Sequence, residues 1–133
     1  MSSTIATSRP DAASAAVSPA TLAVLSLAAA GIHFAVAPEH LEEWPAAGFF
    51  FIVLGGFQAG WALLQLTRPS PRLAWLGIAV NALTVLLWAW SRTVGLPFAP
   101  EPGEIEPVGI PDVISSGLEI LLVAGLLAWV RRD

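Results

Sequence analysis

Four long apolar blocks, separated by short polar or proline-rich stretches, dominate the pattern of hydrophobic and polar positions. They cover about residues 20–37, 45–66, 73–93 and 113–130. Each block is close to the ~20 residues that cross ~30 Å of hydrocarbon as an α-helix. Only a structure that satisfies its own backbone hydrogen bonds can cross lipid, which favours helix. The pattern therefore predicts an all-α membrane protein with a four-helix transmembrane domain over residues 20–133.

The segments outside these blocks differ in kind. Residues 1–19, rich in serine, alanine and threonine, are typical of a disordered tail. Residues 38–44 are predicted to form one or two turns on the outer surface. The proline-rich residues 95–111 are predicted to form a non-helical loop, which is either a cap folded back over the bundle or merely a link. The small residues of Ala35-Val36-Ala37 would also suit a signal-peptide cleavage site, but Pro38 directly after them argues against cleavage.

Arginines and acidic residues fall on opposite sides of the predicted bundle. The tail, the link between the second and third blocks and the C-terminus contain Arg9, Arg68, Arg72, Arg131 and Arg132. The other two connections contain Glu39, Glu42, Glu43, Glu101, Glu104, Glu106 and Asp112. Because positive residues favour the cytoplasmic side, we expect an up-down-up-down bundle with both termini in the cytoplasm, multi-pass in the cell membrane.

Composition narrows the possible partners. Charged residues make up 12% of the chain, against about 25% in soluble domains, and the mean hydropathy is +0.72. The absence of cysteine excludes disulfides, thiolate metal sites and iron–sulfur clusters. A net charge of -4 without a basic cluster argues against binding of nucleic acid, so the expected partner is the lipid bilayer.

Polar residues within the predicted spans form a seam. Ser26 and His33 share a face of the first helix, as do Asn81, Thr84, Trp88 and Arg92 on the third, and Asp112, Ser115, Ser116 and Glu119 on the fourth. Gln58 and a GxxxG pattern formed by Gly56 and Gly60, which favours close helix contact, lie on the second. We expect Gln58 and Asn81 to bond each other, and Arg92 to pair with Glu119, Asp112 or a loop glutamate.

The pair His33 and Glu119 has two interpretations. The predicted helix ends put these residues about 6 Å and about 10 Å below the outer surface, close enough to share a layer. They are candidate ligands of a transition-metal ion, with His40 and Glu39 as entry ligands. They could equally form a hydrogen bond or salt bridge between the first and fourth helices, and Glu119 could alternatively relay protons. No compact metal motif such as HxxxH is present.

Three stretches resemble a group of small four-helix bacterial membrane proteins without an assigned activity. They are Gly31-Ile32-His33 with Pro38-Glu39-His40 and Glu42-Glu43-Trp44, Asn81 with residues 91–98, and residues 103–119 with Glu104, Glu106, Gly109, Asp112 and Glu119. The resemblance covers about residues 20–130. It implies the same four-span topology and the same outer polar residues, and no biochemical activity.

The leading functional hypothesis is a membrane protein whose polar site in the outer half binds a transition-metal ion or another small cation. The alternatives are an accessory or structural subunit of a larger membrane complex, a homo-oligomer, and a small transporter. An enzyme comes last, because the sequence lacks a nucleophile constellation, a phosphate loop, an HExxH motif and a dinucleotide fingerprint.

Overall fold

The computed structural model describes residues 17–132, and over this range it consists of four α-helices without a strand. The helices are α1 (Pro19–Glu43), α2 (Pro45–Thr67), α3 (Pro71–Thr93) and α4 (Ile110–Val130). All four are long and apolar enough to cross a membrane. The predicted all-helical fold with four candidate membrane spans is therefore confirmed, whereas most of the predicted tail, residues 1–16, lies outside the described residues.

Prolines and serines define where the helices begin. Three of the four helices have proline as their first residue: Pro19, Pro45 and Pro71. Proline suits this position because the first helical N–H has no intrahelical partner and the ring fixes a helical φ. Ser70 caps α3 by accepting a hydrogen bond from the Leu73 backbone N–H at 3.2 Å, and Ser18 caps α1 in the same way.

The first helix is longer than the sequence pattern predicts. It does not end near residue 37 but continues through Pro38 to Glu43, and Trp44 alone separates it from α2. Proline removes one backbone donor, and in the following turn the His40 ring donates through Nδ1 to the Val36 carbonyl at 2.8 Å. At 25 residues the helix is about 37 Å long, so its last turns extend beyond ~30 Å of hydrocarbon.

Glycines allow α1 and α2 to approach closely, although not the glycines of the GxxxG pattern. Gly48 packs directly against Leu41, and a Cβ placed on Gly55 would lie 3.1 Å from the Phe34 ring. The same test at Gly56 and at Gly60 finds no atom within 4 Å. Among the described residues, the GxxxG pattern therefore makes no close helix contact within the bundle, because that face of α2 points outward.

The half of the bundle that contains the α2–α3 link has an apolar core. Leu22, Trp61, Ala74, Leu122 and Leu126 form this buried cluster, to which all four helices contribute. The Trp61 ring lies on Gly77, where a Cβ would be 2.8 Å from it, and its Nε1 donates to the Leu73 carbonyl at 2.8 Å. This contact joins α2 to α3 at the end opposite the long α3–α4 loop.

Burial is inverted relative to a soluble protein. Ser26, Gln58, Gln65, Asn81 and Glu119 are at most 1% exposed. Large apolar side chains such as Phe49, Val53 and Leu83 are between 62% and 70% exposed on the outer surface. Contiguous apolar surfaces of this kind are rare on soluble monomers and are what a hydrocarbon environment requires.

Candidate functional site

A network of hydrogen bonds at the centre of the bundle takes one side chain from each helix. His33 Nε2 lies 2.7 Å from Glu119 Oε1, and Gln58 Nε2 donates to the same oxygen at 3.1 Å. Gln58 also donates to Asn81 Oδ1 at 3.0 Å, the bond expected from the sequence. A carboxylate is costly to bury without partners, so two donors on one oxygen explain how Glu119 is accommodated in the bundle.

This central network lies deeper than the sequence pattern indicated. His33 is ten residues before the end of α1, and Glu119 is nine residues after the start of α4. At ~1.5 Å per residue these positions are about 15 Å and 13 Å from the helix ends. The difference arises because both helices extend further at this end than their apolar blocks do.

Arg92 forms an ion pair with Asp112. Its Nη2 donates to Asp112 Oδ2 at 2.6 Å, and its Nη1 donates to the Ser91 hydroxyl at 2.7 Å. The Gly109 backbone N–H donates to the same Asp112 oxygen at 3.0 Å. Both charges suit their positions, because Arg92 is in the last turn of α3 and Asp112 in the first turn of α4, where the helix dipoles favour them.

A cavity of about 600 Å³ lies between the central network and the α3–α4 loop. Its floor contains His33 and Glu119, and Ser91, Arg92 and Asp112 lie on its walls. The apolar part of the lining includes Ile32, Val36, Phe50, Phe51, Leu87 and Trp88. Mostly apolar walls with a few polar groups are typical of sites for small organic molecules.

The proline-rich loop contributes residues between 96 and 106 to the cavity lining and so folds back over it, which, of the two alternatives left open by the sequence, favours the cap. The Glu106 backbone N–H donates to the Ser91 carbonyl at 3.0 Å, which ties the loop to α3. Gly95 has φ +85°, which favours glycine, and it packs against the Gly103 backbone. A side chain at this position would be strained by the φ angle and would also clash with Gly103. On the opposite side, the Phe98 ring lies 6.3 Å from the ring of Trp44, between α1 and α2. The loop thus covers the cavity from α3 to the α1–α2 corner.

The loop places acidic residues at the cavity mouth. Glu101, Glu104 and Glu106 are exposed and contribute to the lining. A hydrogen bond that the protonated Glu104 side chain donates to Glu101, and then repulsion by the Glu101 carboxylate, raise the pKa of Glu104 above its ordinary value of 4.5. The mouth is therefore a region of negative charge.

Of the four proposed metal ligands, only His33 and Glu119 are brought together, 2.7 Å apart. His33 and His40 line the cavity, but the Phe51 ring contacts both imidazoles, at centroid distances of 5.4 Å and 4.6 Å. Glu39 is exposed and absent from the cavity lining. Within residues 17–132 no group of three or more histidine, cysteine, aspartate or glutamate side chains could hold a metal ion. The structure thus gives the predicted transition-metal site no support.

Two of the residues that line the cavity have hydrogen-bond donors without acceptors. Trp88 Nε1 and Arg92 Nε are buried, and neither has a partner in the part of the chain that the structure describes. The sequence placed Trp88 on the polar face of the third helix but gave it no ligand-binding role. Its position four residues from both Thr84 and Arg92, on the polar face of α3, was the available signal for a polar role.

Compared with protein-family models, with curated proteins and with solved structures, the chain matches none.

Proposed function

We propose that this chain is a multi-pass protein of the cell membrane with an up-down-up-down bundle and both termini in the cytoplasm. Contacts between helices support antiparallel neighbours: Leu41 lies beside Gly48 and Phe34 beside Gly55, so position numbers fall on α1 as they rise on α2. For α1 and α4, the bond from His33 to Glu119 and the contact of Leu22 with Gly125 show the same antiparallel relation. The arginine distribution then makes the half with the cavity the outer half.

We further propose that the outer cavity binds a small organic molecule that carries hydrogen-bond-accepting oxygens. The observation that carries this proposal is that two residues lining the cavity, Trp88 and Arg92, have buried donors, Nε1 and Nε, without a partner among the described residues. Each unpaired buried donor costs about 1–3 kcal/mol, which a ligand with a suitably placed oxygen recovers. The volume of about 600 Å³ falls within the ~300–1,000 Å³ usual for ligand pockets.

The proposal is tested by native mass spectrometry of the protein purified in a mild detergent. We expect a co-purified small molecule on the wild-type protein, with occupancy about 3- to 10-fold lower for Trp88→Phe, which keeps the ring and removes the donor. Trp75→Phe is the matched control, because Trp75 is 54% exposed and does not line the cavity. A wild-type protein without any bound molecule, or equal occupancy in both variants, would contradict the proposal.

The other functions predicted from the sequence give different results with the same material. Elemental analysis that finds one metal ion per chain, lost in both His33→Ala and Glu119→Ala, would replace the organic ligand with a metal ion. A mass equal to several chains, or to this chain with another protein, would favour a homo-oligomer or an accessory subunit. Ion or solute flux in liposomes would favour a transporter.

A further inference from the structure

A second, apolar groove opens between α2 and α3 in the same half of the bundle as the cavity. It has a volume of about 340 Å³ and is lined by Phe50, Val53, Leu54 and Phe57 of α2 and by Val80, Leu83, Thr84 and Leu87 of α3. Val53 and Leu83 are 70% and 65% exposed, so the groove is open on the apolar outer surface. Its α2 side extends from Phe50 to Phe57, seven steps along the helix, or about 10 Å.

The groove exists because α2 and α3 meet closely only toward the other end. They are the most loosely packed of the neighbouring helix pairs. Trp61 lies against α3 at Leu73 and Gly77, and the bond from Gln58 to Asn81 lies near mid-helix. Beyond that bond, toward the α3–α4 loop, the two helices leave the groove between them.

The groove adjoins the polar cavity. Phe50, Thr84 and Leu87 line both, so a molecule could place one part in each. The unpartnered Trp88 and Arg92 donors are one and two helical turns from Thr84 on the same face of α3. Polar and apolar binding surfaces therefore follow one another along a single path from the interior to lipid.

We propose that this combined site holds an uncharged, single-chain amphiphile that enters sideways from the outer leaflet, with its oxygen-bearing head in the cavity and its chain in the groove. This inference rests on the proposed function and deepens it by naming the class of ligand and its route.

Charge around the cavity defines the head group. Six carboxylates line it, on Glu43, Glu101, Glu104, Glu106, Asp112 and Glu119. Arg92 already pairs with Asp112, and the imidazoles of His33 and His40 face Glu119 and the Val36 carbonyl. An anionic head would meet net negative charge, while a cationic head would add donors where Trp88 and Arg92 require acceptors. An uncharged hydroxyl, ester or ketone head supplies acceptor oxygens and brings no negative charge.

The test uses a monoacylglycerol with a photoreactive diazirine in its chain, in phosphatidylcholine vesicles that contain the full-length protein. We expect labelling of the exposed groove residues Val53 and Leu83 to exceed that of Ile120 and Leu121 severalfold, although these two residues of α4 are also more than half exposed. The excess should disappear when unlabelled monoacylglycerol is added. A phosphatidylcholine with the same photoreactive chain should label both surfaces alike.

Thr84→Trp fills the passage between cavity and groove and should abolish the saturable labelling. Leu86→Trp is the matched control, since Leu86 is 64% exposed on the same helix and lines neither space. Uniform, non-saturable labelling of the wild-type protein would overturn the inference whether or not Thr84→Trp folds. So would saturable labelling that a folded Thr84→Trp protein retains. A co-purified molecule that is sensitive to Trp88→Phe in either case would leave the proposed function standing without the groove.

Discussion

At the scale of single residues, two buried glutamines on α2 differ in their hydrogen bonding. Gln58 and Gln65 are both 0% exposed and lie seven residues apart. Gln58 donates to Asn81 and Glu119, whereas both polar atoms of Gln65 lack a partner among the described residues. Buried polar groups stabilise a fold only when they are paired, so the same side chain has opposite consequences at the two positions.

We therefore predict opposite effects of the same substitution. Gln58→Leu should lower the free energy of unfolding by about 1–3 kcal/mol, because Glu119 and Asn81 each lose a donor. Gln65→Leu should leave it unchanged or raise it by about 1 kcal/mol, because it removes an unpaired buried amide. Reversible unfolding in detergent measures both, and equal losses would show that Gln65 is paired.

A second residue-scale prediction concerns the acidic mouth. Glu101→Gln should lower the pKa of Glu104 toward 4.5, because it removes a proton-sharing partner and a repelling charge. A raised pKa means that the folded chain binds the proton more tightly than the unfolded chain. The contact between Glu101 and Glu104 is therefore favoured at low pH and lost as the pH rises through the raised pKa.

Carbon-detected NMR of labelled glutamate side chains in micelles follows this titration. Glu42→Gln serves as the control, because Glu42 is not among the groups that act on Glu104. An unchanged Glu104 pKa in Glu101→Gln would exclude the shared hydrogen bond.

At the scale of helices, packing depends on which way each glycine faces. Gly77 receives the Trp61 ring and Gly125 receives Leu22, while Gly56 and Gly60 face away from the bundle. Successive residues turn by about 100°, so neighbours such as Gly55 and Gly56 lie on different faces of α2. A glycine motif in the sequence therefore does not by itself identify the face that makes contact.

Adding one methyl group distinguishes these faces. Gly77→Ala should destabilise the bundle by about 1–3 kcal/mol, because its Cβ would lie 2.8 Å from the Trp61 ring, which also bonds the Leu73 carbonyl. Gly60→Ala, with no atom within 4 Å of its Cβ, should be neutral or slightly stabilising. Thermal unfolding in detergent gives both values, and a larger loss at Gly60 would refute the assigned interface.

At the scale of the whole molecule, polarity divides the bundle into two halves. The half with the α2–α3 link has an apolar core around Leu22, Trp61 and Leu122. The other half has the cavity, the Arg92–Asp112 ion pair and the covering loop. The central network joins the halves, so the molecule combines a firmly packed end with an open one.

The orientation of these halves in the membrane can be measured by labelling single introduced cysteines, because the chain has no cysteine of its own. Pro102→Cys, in the covering loop, should react with a membrane-impermeant maleimide on intact cells. Pro69→Cys, in the α2–α3 link, should react only after the membrane is permeabilised, because arginine-bearing loops stay on the cytoplasmic side. The reverse pattern would invert the topology and place the cavity in the inner half.

Most of the architecture followed from the sequence alone. The number of spans was predictable because apolar blocks of nearly 20 residues have one stable arrangement in lipid, whatever their neighbours do. The polar faces of α1, α3 and α4 were predictable because helical periodicity is a local property. The Gln58–Asn81 bond and the two alternatives for His33 and Glu119 followed from these faces.

The tertiary structure decided which of these residues meet. Among three candidate carboxylate sources for Arg92 it selected Asp112, since the first turn of α4 reaches the last turn of α3. It placed Phe51 between the two histidines, extended α1 beyond Pro38 and left Trp88 without an acceptor. Local pattern determines the elements and their faces, but the rotation, offset and spacing of packed helices depend on contacts between residues far apart in the chain. The cavity and the groove are products of those contacts, which hydropathy along one chain does not contain.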